Sequence, residues 1–299
     1  MQPEFVLLQR IGQPMFDRPP HLLARVHIGI EDPHLIDVDA LSESNAGFTD
    51  KATLILANPP FGKGSVTVVT KERKQEKESK QRKESLTITR TDFWTPSGNK
   101  QLNFLQHIYT MLEIEGRAAV VLPDNVLFEG GAGKTVRERL LQTCDVHTLL
   151  RLPTGLFYAQ GVKANVLFFD RKSKREAPWT DRLWIYDLRT NQNFTLKERP
   201  LMRTDLAEFV QCFNPENRFD RKPTWSEENP KGRWRDYPYE SLIQRDKINL
   251  DIFWVPDDSL KDDLDEPDVI AKRMFDDLQL AMSRITLIMN DLRSPPNSN

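Results

Sequence analysis

Six consecutive residues, Ala57-Asn58-Pro59-Pro60-Phe61-Gly62, bring together groups that could do chemistry in this 299-residue chain. They close the apolar run Ala52-Thr53-Leu54-Ile55-Leu56-Ala57, which reads as a short buried strand stopped abruptly by two prolines. Consecutive prolines fix φ and donate no backbone hydrogen bond, so the carbonyls around them stay rigid and available. Such a turn can present the Asn58 amide, the Pro59 carbonyl and the Phe61 ring together. The amine of a nucleobase needs all three, because its lone pair is delocalised and poorly nucleophilic. Two acceptors on its N–H bonds pull the nitrogen towards a tetrahedral shape, and an aromatic face holds the base by stacking. The plainer reading of the same residues is a strand that ends in a proline turn.

Asn58-Pro59-Pro60-Phe61 resembles the catalytic motif of N6-adenine DNA methyltransferases. Its surroundings resemble the modification (M) subunit of type I restriction–modification systems. The resemblance runs from about His21 to Asp170. It takes in Leu23-Ala24-Arg25, Asp39-Ala40-Leu41, Asn58 to Gly62, Phe104-Leu105, Gly116 to Pro123 and Leu152-Pro153-Thr154-Gly155-Leu156-Phe157. Several motifs in the right order are far more specific than the tetrapeptide. What the resemblance implies is transfer of a methyl group from S-adenosylmethionine to N6 of an adenine flipped out of duplex DNA, with no metal. Asn58, Pro59, Pro60 and Phe61 would be catalytic. Phe61 and Phe157 would stack on the two faces of the target base, and Asp39, Asn58 and Phe104 would hold the cofactor. Double-stranded DNA, a specificity (S) subunit and a restriction (R) subunit are the implied partners.

One departure matters. Family members carry an earlier loop of the form Asp-Pro-x-x-Gly-Thr-Gly, whereas the only glycine ahead of Leu22 is Gly12. The chain is therefore expected to be N-terminally truncated, and activity is expected to require a complementing N-terminal methyltransferase fragment. Two alternatives remain open. The chain could be a non-catalytic remnant or assembly module that binds an S-type partner, or it could methylate a glutamine side chain or RNA.

The elements that position these residues follow from periodicity. Leu22 to Ile30 has helical spacing, and Leu35-Ile36-Asp37-Val38-Asp39 alternates like a strand ending on a carboxylate. Ligands of open α/β sheets bind beyond the carboxyl ends of strands, so Asp39 reads either as a ligand or as a turn or helix cap. Gly98 and Asn99 introduce a helix with Leu102, Leu105, Ile108 and Leu112 on one face and Gly116 as its stop. Strands follow at Arg117–Leu122, His147–Leu152 and Val162–Phe169, with a helix at Thr135–Thr143. This alternation predicts an α/β fold, a partial Rossmann-like methyltransferase sheet. Gly130-Gly131-Ala132-Gly133-Lys134-Thr135 imitates the tail of a phosphate-binding loop, but Phe128 stands where the pattern requires glycine.

Beyond residue 170 the composition turns to tryptophan, proline and charge. A strand is expected at Leu183–Leu188, a helix at Thr204–Phe213, and loop from Pro215 to Tyr239. Trp225 and Trp234 read as stacking platforms for nucleic acid or as buried anchors. From Pro267 to Leu292, Ile270, Met274, Leu278, Met282, Ile285, Met289 and Leu292 recur in steps of four and three, an amphipathic helix with one apolar seam. The seam packs on its own domain or, by resemblance, grips the S subunit. The expected domains are therefore 1–20 (uninformative), 21–170 (catalytic), 171–262 (an α+β extension) and 263–293 (the long helix).

With 29% charged residues and a net charge of −2, any DNA contact must come from local patches. Residues 71–84 offer one such patch, with seven Lys or Arg against four Glu, or they form a solvated insertion. Cys144 and Cys212 are too few for a metal site or a disulfide framework. With neither a membrane-length apolar run nor a signal-like N-terminus, the expected compartment is the cytoplasm.

Overall fold

The computed structural model describes residues 5–8, 40–43, 46–47, 51–61, 87–157, 162–192, 194–196 and 198–256. It also describes positions 271, 272, 275, 278, 279 and 282. The expected helix at 22–30, the strand ending at Asp39 and the charged segment 71–84 lie outside the described residues.

Seven strands form one mixed sheet in the order β1-β2-β3-β5-β4-β6-β7. They are β1 (Phe5–Leu8), β2 (Ala52–Ala57), β3 (Leu112–Pro123), β4 (Cys144–Arg151), β5 (Ala164–Arg171), β6 (Arg182–Asp187) and β7 (Trp234–Pro238). β1, β2 and β3 run parallel, with Leu8 opposite Ala57 and Ala57 opposite Val120. β5 is antiparallel to both of its neighbours, β3 and β4. The carboxyl ends of β2, β3, β4 and β6 thus share one rim with the start of β5. The segment 1–20, uninformative as sequence, contributes the edge strand β1.

Helices α1 (Lys100–Met111) and α2 (Ala132–Thr143) pack with Ile55, Val120, Leu122, Leu149 and Leu167 in one apolar cluster. Leu150, Trp184, Tyr186 and Trp234 form a second cluster with Phe209 of α3 (Ala207–Phe213). Leu149 and Leu150 enter different clusters because successive side chains of a strand point to opposite faces. The extension expected over 171–262 is continuous with this sheet through β6 and β7, and one compact unit runs from Met1 to Val255. Trp234 is fully buried and stacks on Trp184 at 5.2 Å, so it is an anchor. Trp225 is half-buried beneath the Arg235 guanidinium, 3.6 Å from its ring centroid.

The helix beginning at Lys100 is capped as its sequence predicts. The Asn99 side chain accepts from the amides of Gln101 and Leu102 at 2.9 and 3.4 Å. Its end differs from the expectation. α1 stops at Met111, and Leu112 already opens β3. Arg171 makes the stop possible by donating to the carbonyls of Tyr109 and Leu112. Gly116 is not a helix stop. A Cβ there would lie 2.9 Å from the Ala52 carbonyl oxygen, so glycine permits the close approach of β3 to β2 beside a register shift.

The second unit spans Pro256–Asn299. Its described residues 271, 272, 275, 278, 279 and 282 are helical, with Phe275, Leu278 and Met282 exposed. Among the described residues, no helix is long and apolar enough to cross a membrane.

Candidate active site

Ala57 ends β2 at the carboxyl rim, and the chain leaves the sheet through Asn58-Pro59-Pro60-Phe61. Pro59 is buried, Pro60 and Phe61 are half-buried, and Asn58 is exposed. The Asn58 side chain makes no hydrogen bond to another described residue, and the residue is exposed. The corner is held from behind. Gln101 of α1, 4% exposed, donates from Nε2 to the Pro60 carbonyl at 3.1 Å.

Gln101 is one of four buried polar side chains on a helix whose other face is Leu102, Leu105 and Ile108. Asn103 donates to the Ser97 carbonyl at 2.8 Å. Gln106 pairs with both backbone groups of Thr95, at 3.0 and 3.1 Å. His107 Nδ1 accepts from Arg90 at 3.0 Å, because a guanidinium can only donate. α1 therefore works as a bracket between the corner and the segment 88–97. The sequence signal was polar residues on the buried side of an otherwise apolar helix, but their partners lie too far away in sequence to be read.

The bracket supports two expectations. Gln101→Leu removes the hold on Pro60 while keeping the buried volume, so the corner loosens. Faster amide hydrogen exchange at Phe61 checks this, with a melting curve to show that the fold persists. His107 carries the second. Burial pushes its imidazole down to about 4, helped by the Arg90 charge and by Lys51, against a smaller opposing pull from Asp92. The unfolded chain then binds the extra proton between pH 6.5 and about 4, so stability is lost as pH falls through that window. The contribution reaches about 2 kcal/mol by pH 5 and levels near 3 kcal/mol at pH 4. Urea denaturation of wild type and His107→Gln, at pH 7 and pH 5, measures it as the difference between the two slopes with pH.

Phe157 follows the Leu152-Pro153-Thr154-Gly155 stretch that leaves β4. Gly155 has φ +88°, and a Cβ there would fall 2.0 Å from the Phe194 carbonyl oxygen. Only glycine lets the segment pass. The structure brings Phe61 and Phe157 together, with centroids 5.3 Å apart and planes at 72°. Parallel faces sandwiching a base need about 7 Å, twice an aromatic contact distance. The two rings are thus in edge contact, and one must move before a base can enter between them. Phe104 is 6% exposed and joins neither apolar cluster of described residues. Asp39 lies outside the described residues, and its neighbours Ala40 and Leu41 lie within them.

Further along the rim, Arg151 at the end of β4 is fully buried. It donates to Asn165 Oδ1 at 2.7 Å, to Asp124 Oδ1 at 3.3 Å and to Asp251. Asn165 in turn donates to Asp124 at 2.8 Å. Asp124 follows Pro123 of β3, so this network ties the ends of β3, β4 and β5 together. Burial pushes the Cys144 thiol up to about 12, and burial with the Glu208 charge pushes Cys212 up to about 11. Both are inert free thiols at neutral pH. No group of metal-ligating side chains occurs among the described residues.

The sheet order, with β5 antiparallel between β3 and β4 and a proline corner at the rim, is that of the class I S-adenosylmethionine-dependent methyltransferase fold. The crystal structure of the EcoKI M protein of a type I restriction enzyme shares it. That structure is 34% identical with a TM-score of 0.59, over 88% of this chain and 54% of that one. A chain from a study of complex assembly in a type I restriction–modification system, 23% identical with a TM-score of 0.54, has the same fold. The chain belongs to the N-6 DNA Methylase family, which it matches over residues 16–240. It is 38% identical over 269 residues to the EcoKI methylase subunit of Escherichia coli (strain K12), covering 81% of this chain and 47% of that protein. The StySJI methylase subunit of Salmonella typhimurium is similar to the same extent. This chain thus spans about half the length of the curated relatives it matches.

Proposed function

We propose that this chain carries the reaction corner of an adenine-N6 DNA methyltransferase of the type I modification-subunit kind. The observation behind this reading is the exposed Asn58 amide, bonded to no described residue, on a proline corner that Gln101 holds from behind. Asn58 Oδ1 and the Pro59 carbonyl accept the two N–H bonds of the adenine amine and aim its lone pair. Phe61 stacks on one face of the extruded base, and Phe157 turns away from Phe61 to close on the other. Pro60 keeps the corner rigid. S-adenosylmethionine supplies a methyl carbon already attached to a positively charged sulfur. Catalysis is therefore mainly a matter of alignment, and neither a metal nor a covalent enzyme intermediate is needed.

The residues at the rim fit that group. Asp39 and the Ala40–Leu41 turn beside it serve the adenosine end, as does Phe104, whose ring is buried yet outside both apolar clusters. Asn58 lies where cofactor and base meet. Duplex DNA is the substrate, and an S subunit supplies sequence recognition. The exposed Leu278 and Met282 support the 267–292 seam as the S-subunit contact. An R subunit completes the assembly, in the cytoplasm.

The test is incubation with labelled S-adenosylmethionine and duplex DNA, with and without candidate partner subunits. Label on adenine N6 supports the proposal. No label in any combination favours an assembly module, and label entering protein or RNA favours another amine as acceptor.

A further inference from the structure

Arg90 is 3% exposed, and its guanidinium bonds Ala40, Asp92 and His107 among the described residues. Nη1 donates to the Ala40 carbonyl at 3.1 Å and to His107 Nδ1 of α1 at 3.0 Å. Nε and Nη2 hold both carboxylate oxygens of Asp92, at 2.9 and 2.7 Å. The guanidinium lies over Phe93, 4.4 Å from the ring centroid. Neighbouring bonds fasten the same turn. Gly47 N donates to Asp92 at 3.4 Å, and Thr91 donates to the Glu43 carboxylate through its hydroxyl at 3.0 Å and its amide at 3.5 Å. Ala40, Glu43 and Gly47 are thereby strapped to 90–92, and 90–92 to α1.

A buried guanidinium is an expensive way to fill space, since apolar side chains of similar volume often stabilise as well or better. What it adds is direction. Its donors are fixed in one plane, so the Ala40 carbonyl, the Asp92 carboxylate and the His107 ring can only be arranged one way around it. Ala40 adjoins Asp39 in the chain, and His107 lies three residues, about one helical turn, beyond Phe104. These are the two residues given above to the adenosine end of the cofactor.

We infer that Arg90 is a positioning residue for S-adenosylmethionine, setting the distance between the Ala40–Leu41 turn and the α1 surface that carries Phe104. The inference rests on the function proposed above. The effect of Arg90 falls on cofactor affinity and not on the transfer step.

The test uses the full chain, with S-adenosylmethionine itself as the titrant in calorimetry, alongside duplex-DNA affinity, steady-state kinetics and melting curves. Arg90→Met and His107→Leu are expected to weaken cofactor binding by about 10- to 100-fold and to raise KM for the cofactor to match. kcat at saturation and DNA affinity stay at wild-type values. His107→Asn places an amide oxygen near the position of Nδ1 and restores cofactor affinity, which a loss of packing alone would not allow. Wild-type affinity in a folded Arg90→Met overturns the inference, as does a loss confined to kcat. If Arg90→Met does not fold, Arg90→Lys and His107→Leu decide, and unchanged affinity in both overturns it. A wild-type chain that binds no S-adenosylmethionine, alone or with candidate partner subunits, overturns the functional reading itself, a result distinct from the failure of Arg90 alone.

Discussion

Asn58→Ala is expected to lower methyl transfer by about 10²- to 10³-fold or more while leaving the fold intact. The two halves of that result have different origins. The amide is exposed and bonded to no described residue, so removing it breaks nothing that holds the protein together, and surface changes of this kind stay within about 0.5 kcal/mol. In the proposed reaction the same oxygen accepts from an amine whose lone pair must be freed from the purine ring, and nothing else at the corner replaces it. Asn58→Asp refines the test. It keeps an acceptor oxygen and removes the donor, so it retains part of the activity if acceptance is what matters. Initial rates with labelled cofactor and matched melting curves read both outcomes. A folded Asn58→Ala protein with wild-type turnover would remove Asn58 from the mechanism.

Arg151→Met should destabilise the protein by about 3–5 kcal/mol, the usual cost of taking one member from a buried ionic network. Methionine fills much of the space but leaves Asp251 and Asp124 without the cation between them, and Asn165 Oδ1 without its donor. Arg189 still reaches Asp251 at 3.5 Å, and Asn165 still reaches Asp124, so the loss stops short of unfolding the rim outright. Urea denaturation at pH 7 gives the value directly. Adding Asp251→Asn to Arg151→Met should recover part of the stability, because it removes one orphaned charge. Failure to recover any would mean that Arg151 acts through packing alone.

Much of the sheet was legible because its strands are short apolar runs bounded by punctuation. Ala52 to Ala57 ends at two prolines, and α1 begins at Asn99, whose side chain is a ready acceptor for amide donors. Gly116 was misread because glycine has two uses. The need met here is close approach to the Ala52 carbonyl, and nothing local in the sequence separates that from a helix stop. The strand Trp234–Pro238 was hidden inside a stretch rich in proline and charge, since its stability comes from stacking on Trp184, 50 residues earlier.

The corner itself was readable as a candidate, whereas its support was not. Gln101 meets Pro60 across 41 residues, and Arg90 meets Ala40 across 50. Such pairs follow no period. The edge contact between Phe61 and Phe157 was equally unreadable, because neither motif says how the two rings meet.

β5 is encoded after β4 but lies between β4 and β3. The middle of the sheet is thus the last of three neighbours to leave the ribosome, and residues 112–151 must wait for 164–171 before their edges are paired. Until then two nascent strands present open backbone, the condition in which chains on one messenger find each other instead of themselves. A product released before residue 164 has nothing to join β3 to β4, so for this protein the order of emergence is itself a hazard of synthesis.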